Sequence, residues 1–332
     1  MYLGSQVPYD RELLTFLRQM GATHVDVTPG PGMGLEDAGH WRVEPLLALR
    51  EEVEALGLTL AAMHLPLSSA GIERQCWPQI MLGGPERDRQ IEQVQRTIAA
   101  AGRAGISLLL YNLAILPVVR TAYRTPGRGG ATYSHFDYVE LSADPPHPNA
   151  PITADEAWER IAYFVERVLP VAEEYGVRLG CHPHDPGMPA GRGYRGIERV
   201  LGSVDGLKRF IALSDSPYHG LNFCQGTVAE MCPAPEQVYE AIRYFGIRGK
   251  IFWVHLRNIR GGYLHFDEVF PDEGDIDMVH AVRLYHEVGY RGVLVPDHVP
   301  HSELDTPYGH RAFAFSLGYL RALIQAVEGY GS

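Results

Sequence analysis

The chain has 332 residues, 45% of them hydrophobic and 21% charged, with a formal net charge of −11 at pH 7. That composition can fill a sizeable core, and the acidic balance disfavours non-specific binding to nucleic acid or anionic membranes, whose phosphates would need a local basic patch. No apolar run approaches the roughly 18 residues of a membrane helix. The start, MYLGSQVPYD, has neither a basic segment nor an apolar signal core, and Cys76, Cys181, Cys224 and Cys232 lack disulfide-scaffold or CxxC spacing. A soluble protein of the reducing cytoplasm, acting on a small molecule, is expected, with no membrane or nucleic-acid partner and with a homo-oligomer left open.

Buried strands open the chain at Leu3–Val7 and His24–Val27, followed by Val43, Leu46, Leu47 and Val53 at helical spacing. A strand over Leu58–His64 leads to a second helical stripe, Ile91, Val94 and Ile98, and then to a strand at Ser107–Asn112. Thr153 and Glu156 have capping-box spacing before another apolar stripe, in which Pro170 predicts a kink or break. Strands follow at Arg178–Pro183, Gly220–Gln225, Ile251–Arg257 and Gly292–His298; Asp275 and Asp277 precede the helical stretch Met278–Glu287 as capping or first-turn charges. Eight strands alternating with helices, without a low-complexity linker or a convincing repeat, predict one α/β domain over residues 1–332, a (β/α)8 TIM barrel.

Active sites on such barrels lie at the carboxyl ends of the strands, and the polar residues concentrate there: His64, Asn112, His182, Cys224, His255, Asp297 and His298. Four consecutive strands end in metal-ligand types, His182 in LGCHPHDP, Cys224 in LNFCQG, His255 in FWVHLR and Asp297 in VLVPDHVP. Their wide spacing does not fit a zinc finger, whereas a barrel gathers strand ends around one axis. Two imidazoles, a thiolate and a carboxylate suit zinc by softness, and an open mixed site also accommodates Mn²⁺, Fe²⁺ or Co²⁺. Cys181, next to His182, points to the opposite strand face and reads as a small core residue.

The segment Leu113–Phe136 carries Arg120, Arg124 and Arg128 and no acidic residue, in an otherwise acidic chain. A connection running over 113–152 is long enough to predict a lid, and its arginines suit a substrate carboxylate or phosphate. Arg257, two residues beyond His255, is a further candidate for that contact.

These motifs resemble the mannonate dehydratase family of the xylose-isomerase-like barrels. The resemblance rests on Pro45–Leu56, HLPL at His64–Leu67, GGPERDRQIEQV, YNLAILPVVRT, HPHDP, FCQG, VHLR, GDIDM and PDH, and covers most of the chain. It implies one divalent metal on His182, Cys224, His255 and Asp297, with Mn²⁺ placed ahead of Fe²⁺, Co²⁺ and Zn²⁺. It also implies His298 beside the metal in catalysis, and Asn112, Arg120 and Arg257 near the substrate; His64, on the same rim, is a further candidate for substrate binding. Two departures stand out. His184 replaces the first acidic residue of the family's HPDDP, and TPYGHR puts His310 near the position of a catalytic tyrosine, with Tyr308 two residues earlier.

The implied reaction removes water from a sugar acid such as D-mannonate, giving a 2-keto-3-deoxy acid through an enol. Deprotonating C2 beside a carboxylate needs a metal or cationic neighbours, and the departing C3 hydroxyl needs a general acid. His298 suits proton transfer, with Tyr308 or His310 as its counterpart. A sugar isomerase or epimerase on the same barrel is the main alternative, since an enediolate draws on the same stabilisation. A non-catalytic sugar-acid-binding barrel comes next, and a nuclease is disfavoured by the acidic charge.

Overall fold

Every strand read from the sequence forms. The computed structural model, which describes residues 1–329, contains β1 (Tyr2–Pro8), β2 (His24–Thr28), β3 (Thr59–His64), β4 (Leu108–Asn112), β5 (Ala122–Pro126), β6 (Thr132–Asp137), β7 (Arg178–His182), β8 (His219–Cys224), β9 (Ile251–His255), β10 (Asn258–Gly262), β11 (His265–Val269) and β12 (Val293–Val295). Eight of these close a parallel barrel in the order β1-β12-β9-β8-β7-β4-β3-β2. Positions 330–332 of the expected domain lie outside the described residues.

Alternation along the strands divides two cores. Ala62, Leu108, Leu110, Phe252, Trp253, Val293 and Val295 pack together as a separate cluster, which fits the barrel lumen because β3, β4, β9 and β12 each contribute. Gly220 makes room there: a Cβ at that position would stand 2.5 Å from the Phe252 ring. Leu3, Val7, Val25, Val27 and Leu109 belong instead to the large cluster under the helices, where each fully buried aliphatic side chain contributes roughly 1.5–3 kcal/mol. The helix Val43–Ala55 buries Leu46, Leu49 and Val53, and Arg87–Arg103 buries Ile91, Val94 and Ile98.

The capping box at Thr153 and Glu156 is present, but no break occurs at Pro170: one helix runs from Ala154 to Tyr175. Pro170 lies on an exposed face, so the carbonyl it leaves without a helical donor can turn to water. Asp277 caps the helix Met278–Glu287 by accepting from the His280 amide at 3.0 Å.

The segment 113–152 is not a structureless loop. It carries β5 and β6, which join β10 and β11 in an antiparallel sheet ordered β10-β11-β6-β5. Phe136 on β6 stacks on Phe266 of β11 with ring centroids 5.4 Å apart, and both are buried. Among the described residues no helix is long and apolar enough to cross a membrane.

Candidate active site

Barrel closure places the ends of β3, β4, β7, β8, β9 and β12 side by side, so that His64, Asn112, His182, Cys224, His255 and Asp297 follow one another along an arc of the mouth. Asn112 is directly opposite His182, and Cys224 directly opposite His255. On the β3 side, His64 Nδ1 lies 3.2 Å from Asp26 and 3.2 Å from the Gln6 amide, while Nε2 is 3.3 Å from Asn112 Oδ1.

The four expected ligand residues come together. Donor atoms of His182, Cys224 and His255 lie within 4.8 Å of one another. Asp297 Oδ2 stands 3.7 Å from Cys224 Sγ and 3.8 Å from His255 Nδ1. His182 commits Nδ1 to the Pro183 carbonyl at 2.7 Å, which leaves Nε2 for the cluster, the outer support common for ligating imidazoles. His255 Nδ1 is buried without a hydrogen-bond partner among the described residues.

Burial alone would raise the Cys224 thiol, but the Arg257 charge and the His182 and His255 rings outweigh it and hold the group well below its ordinary value. Burial also opposes ionisation of Asp297, yet His298, His255 and Arg257 keep it a carboxylate. A thiolate and a carboxylate side by side, facing an unpartnered imidazole nitrogen, form a donor set that fits a divalent cation.

Beyond the quartet lies a buried ion network that sequence reasoning missed. Arg120 donates to Asp185 at 2.5 Å, Glu268 at 2.5 Å and Glu230 at 3.2 Å. Arg257 donates to Glu230 at 2.6 Å, Glu268 at 2.8 Å, Asp185 at 3.0 Å and Asp297 at 3.3 Å. Both guanidinium side chains are only 1% exposed, so they form a fixed floor whose charge is already matched by protein carboxylates. Gly226 permits this packing, because a Cβ there would stand 2.6 Å from the Arg257 side chain. Burial pushes the Glu230 carboxyl well up despite both arginines, and its Oε2 has no hydrogen-bond partner among the described residues. Asp185 sits in the quoted HPHDP motif but was not singled out there, and Glu268 arrives on β11, a strand the sequence did not disclose. Arg124 lies exposed on β5 and Arg128 pairs with Asp272 at 2.7 Å, so only Arg120 of the three loop arginines joins this network.

His298 lies at the mouth. Its Nδ1 is 2.6 Å from Glu268 and its Nε2 3.7 Å from Asp297. The residue adopts φ 44°, a left-handed backbone that costs a non-glycine residue roughly 1–3 kcal/mol and tends to persist where function requires it. Burial would lower its proton affinity, but Asp297 and Glu268 together raise it, and about a third of the side chain, 34%, stays open to solvent.

Tyr308 and His310 are not brought to this cluster. Tyr308 stacks on Phe313 at 4.9 Å and meets Phe16 edge-on at 6.4 Å. His310 packs on Phe16 at 4.6 Å and contacts the Thr306 hydroxyl at 2.5 Å. Ser5, which faces Tyr308, neighbours Gln6 on β1, and Gln6 reaches His64 at the mouth. Strand alternation therefore turns Ser5 and Tyr308 to the helix side of the barrel. His184 is structural as well: Nε2 is 2.9 Å from the Leu113 carbonyl, and the Leu201 amide donates to Nδ1 at 3.4 Å. Burial and Arg199 hold this imidazole down at about 3.

Comparison with known proteins bears on this geometry. The family model described as D-mannonate dehydratase (UxuA) matches residues 14–148 and 147–331. The chain is 29% identical to mannonate dehydratase 2 of Halalkalibacterium halodurans over 97% of each chain. It is 27% identical to mannonate dehydratase of Thermotoga maritima over 87% of each. A crystal structure of mannonate dehydratase from Streptococcus suis superposes with a TM-score of 0.85 at 27% identity, covering 98% of this chain and 93% of that one. A xylose isomerase domain protein from Planctomyces limnophilus, 16% identical with a TM-score of 0.63 and 99% of each chain covered, shares the xylose-isomerase-like barrel.

Proposed function

The chain belongs to the D-mannonate dehydratase family, and on that premise we propose that it removes water from a D-mannonate-like sugar acid at this mouth, yielding a 2-keto-3-deoxy sugar acid. It is a hydro-lyase acting on a sugar acid. The observation that carries the site assignment is the convergence of His182, Cys224, His255 and Asp297 beside two buried arginines. Those four residues would hold one divalent ion, with Mn²⁺ first among Mn²⁺, Fe²⁺, Co²⁺ and Zn²⁺. When bound, such an ion supplies Lewis acidity towards substrate oxygens next to C2.

The chain's own groups divide the remaining work. Arg257 and Arg120, paired with Asp185, Glu230 and Glu268, fix the orientation of the charged groups beside the quartet, so this floor needs no reorganisation as charge develops at C2. His298 holds a proton under Asp297 and Glu268 and faces solvent, which suits it to give that proton to the departing C3 hydroxyl and to be reloaded by the proton lost from C2, so that one water leaves with no net proton change. His64, oriented by Asp26 and joined to Asn112, offers polar contacts to substrate hydroxyls across the arc. The antiparallel sheet brings Glu268 down to the mouth, so closure of the site and pairing of its arginines are one structural event.

The test is a panel of sugar acids supplied to protein reconstituted with Mn²⁺, Fe²⁺, Co²⁺ or Zn²⁺, with products read by mass. Loss of one water supports the proposal. A product of unchanged mass identifies an isomerase or epimerase, and tight binding without turnover identifies a binding protein.

A further inference from the structure

We propose that the outer face of the antiparallel sheet carries a second divalent-metal site, separate from the barrel mouth, built by His135, Asp137, His265 and Asp267. The sheet's alternation creates it. Phe136 and Phe266 are buried, and Arg120 lies over the Phe266 ring at 5.0 Å, so this parity faces the mouth. Residues 135, 137, 265 and 267 therefore share the other face.

Register then pairs a carboxylate with an imidazole on neighbouring rungs, His265 opposite Asp137 and Asp267 opposite His135. His135 Nδ1 stands 2.8 Å from Asp267 Oδ1, and His265 Nδ1 stands 3.3 Å from Asp137 Oδ2. Two independent cross-strand pairs would explain those two distances. They do not explain why the imidazoles also converge, edge to face with centroids 5.0 Å apart, so that donors from His135, Asp137 and His265 lie within 4.8 Å of one another. Asp137 is held in place, since its Oδ1 accepts from the Val139 amide at 2.9 Å and leaves Oδ2 facing His265.

Two imidazoles and two carboxylates without a thiolate make a nitrogen and oxygen donor set of the zinc class, and the carboxylates supply the two negative charges that balance the ion. The His265 side chain is 66% exposed, so an ion can enter directly from solvent. Bound there, it would tie β6 to β11 and stabilise the sheet that covers the mouth.

The experiment uses tag-free, metal-stripped protein titrated with zinc and, separately, with cobalt(II). Wild type should take two equivalents of zinc. His135→Ala/His265→Ala and the milder His265→Gln should each lose one equivalent while keeping the near-ultraviolet thiolate-to-cobalt band that Cys224 provides. Cys224→Ala should lose that band and keep the sheet-bound equivalent. A Cys224→Ala protein that takes up no zinc at all, or a zinc count that stays at the wild-type value in both histidine variants, overturns the proposal. Far-ultraviolet circular dichroism checks the fold of the double variant, and His265→Gln decides if that variant unfolds. Absence of the cobalt band in wild type would count against the mouth assignment alone, so the two readings fail separately.

Discussion

Cys224 Sγ and Asp297 Oδ2 stand 3.7 Å apart in the buried mouth, two anion-forming groups closer than burial would tolerate without a cation between or beside them. Arg257 contributes part of that charge, with Nε 3.3 Å from Asp297. Cys224→Ala and His255→Ala should each lower the metal content of the reconstituted protein, measured by elemental analysis after desalting. Unchanged content in both would remove these residues from the ligand set, whereas lost turnover with metal retained would point to a role beyond ligation.

Arg120→Ala should act chiefly on stability. Removing it leaves Asp185, Glu230 and Glu268 with one guanidinium in place of two, and breaking a buried ion pair typically costs about 3–5 kcal/mol. Chemical denaturation should show a loss of that order. A variant as stable as wild type with only a raised KM would mean that Arg120 is a free substrate clamp.

His298→Gln should keep fold and metal while lowering turnover by about 10²-fold or more, the usual scale for a lost general acid or base. Tyr308→Phe should stay near wild type, because Tyr308 packs on Phe313 and Phe16 on the helix side of β1. Steady-state kinetics at full metal occupancy checks both. A large loss in Tyr308→Phe would show that the segment 299–309 turns inward during turnover.

Gly226→Ala should weaken catalysis without touching a ligand, since the added Cβ would stand 2.6 Å from Arg257. If its kinetics match wild type, Arg257 can shift without consequence and the fixed-floor account is wrong.

A pH effect on stability is expected from His219, at the start of β8. Its Nε2 bonds the Phe210 carbonyl at 2.8 Å, and burial followed by Lys250 pushes the imidazole down to about 4. The unfolded chain, with an ordinary value of about 6.5, takes up the proton first. The contribution of this group is therefore complete above about 6.5 and is lost as pH falls towards about 4, by up to about 1.4 kcal/mol per unit. The wild-type stability slope across that window should exceed that of His219→Gln; equal slopes would refute the linkage.

The barrel was legible because its strands are short, apolar and buried on both faces, as in LLLYN of β4 and IFWVH of β9. The convergence of His182, Cys224, His255 and Asp297 was legible because such residue types follow the ends of four such strands. β5 and β6 left no comparable trace: AYRTP and TYSHFD are polar and partly exposed, and their stability comes from strands far along the chain. The carboxylate partners of Arg120 were not legible for the same reason, because Glu230 and Glu268 come from elements that local pattern does not connect to residues 113–136. His310 was placed by family register and Tyr308 by its nearness to that position; sequence does not reveal on which side of β1 a rim residue packs.

The antiparallel sheet also sets an order of assembly. β6 cannot meet β11 until β7, β8 and β9, which lie between them in sequence, have been laid down, and closing a span of that length carries an entropic cost recovered only on docking. Arg120 must therefore wait for Glu268 while the barrel is still closing. On a ribosome the first half of the protein emerges with an uncompensated cation beside a half-built wall, four of the eight barrel strands, and its neutralisation marks completion of the mouth.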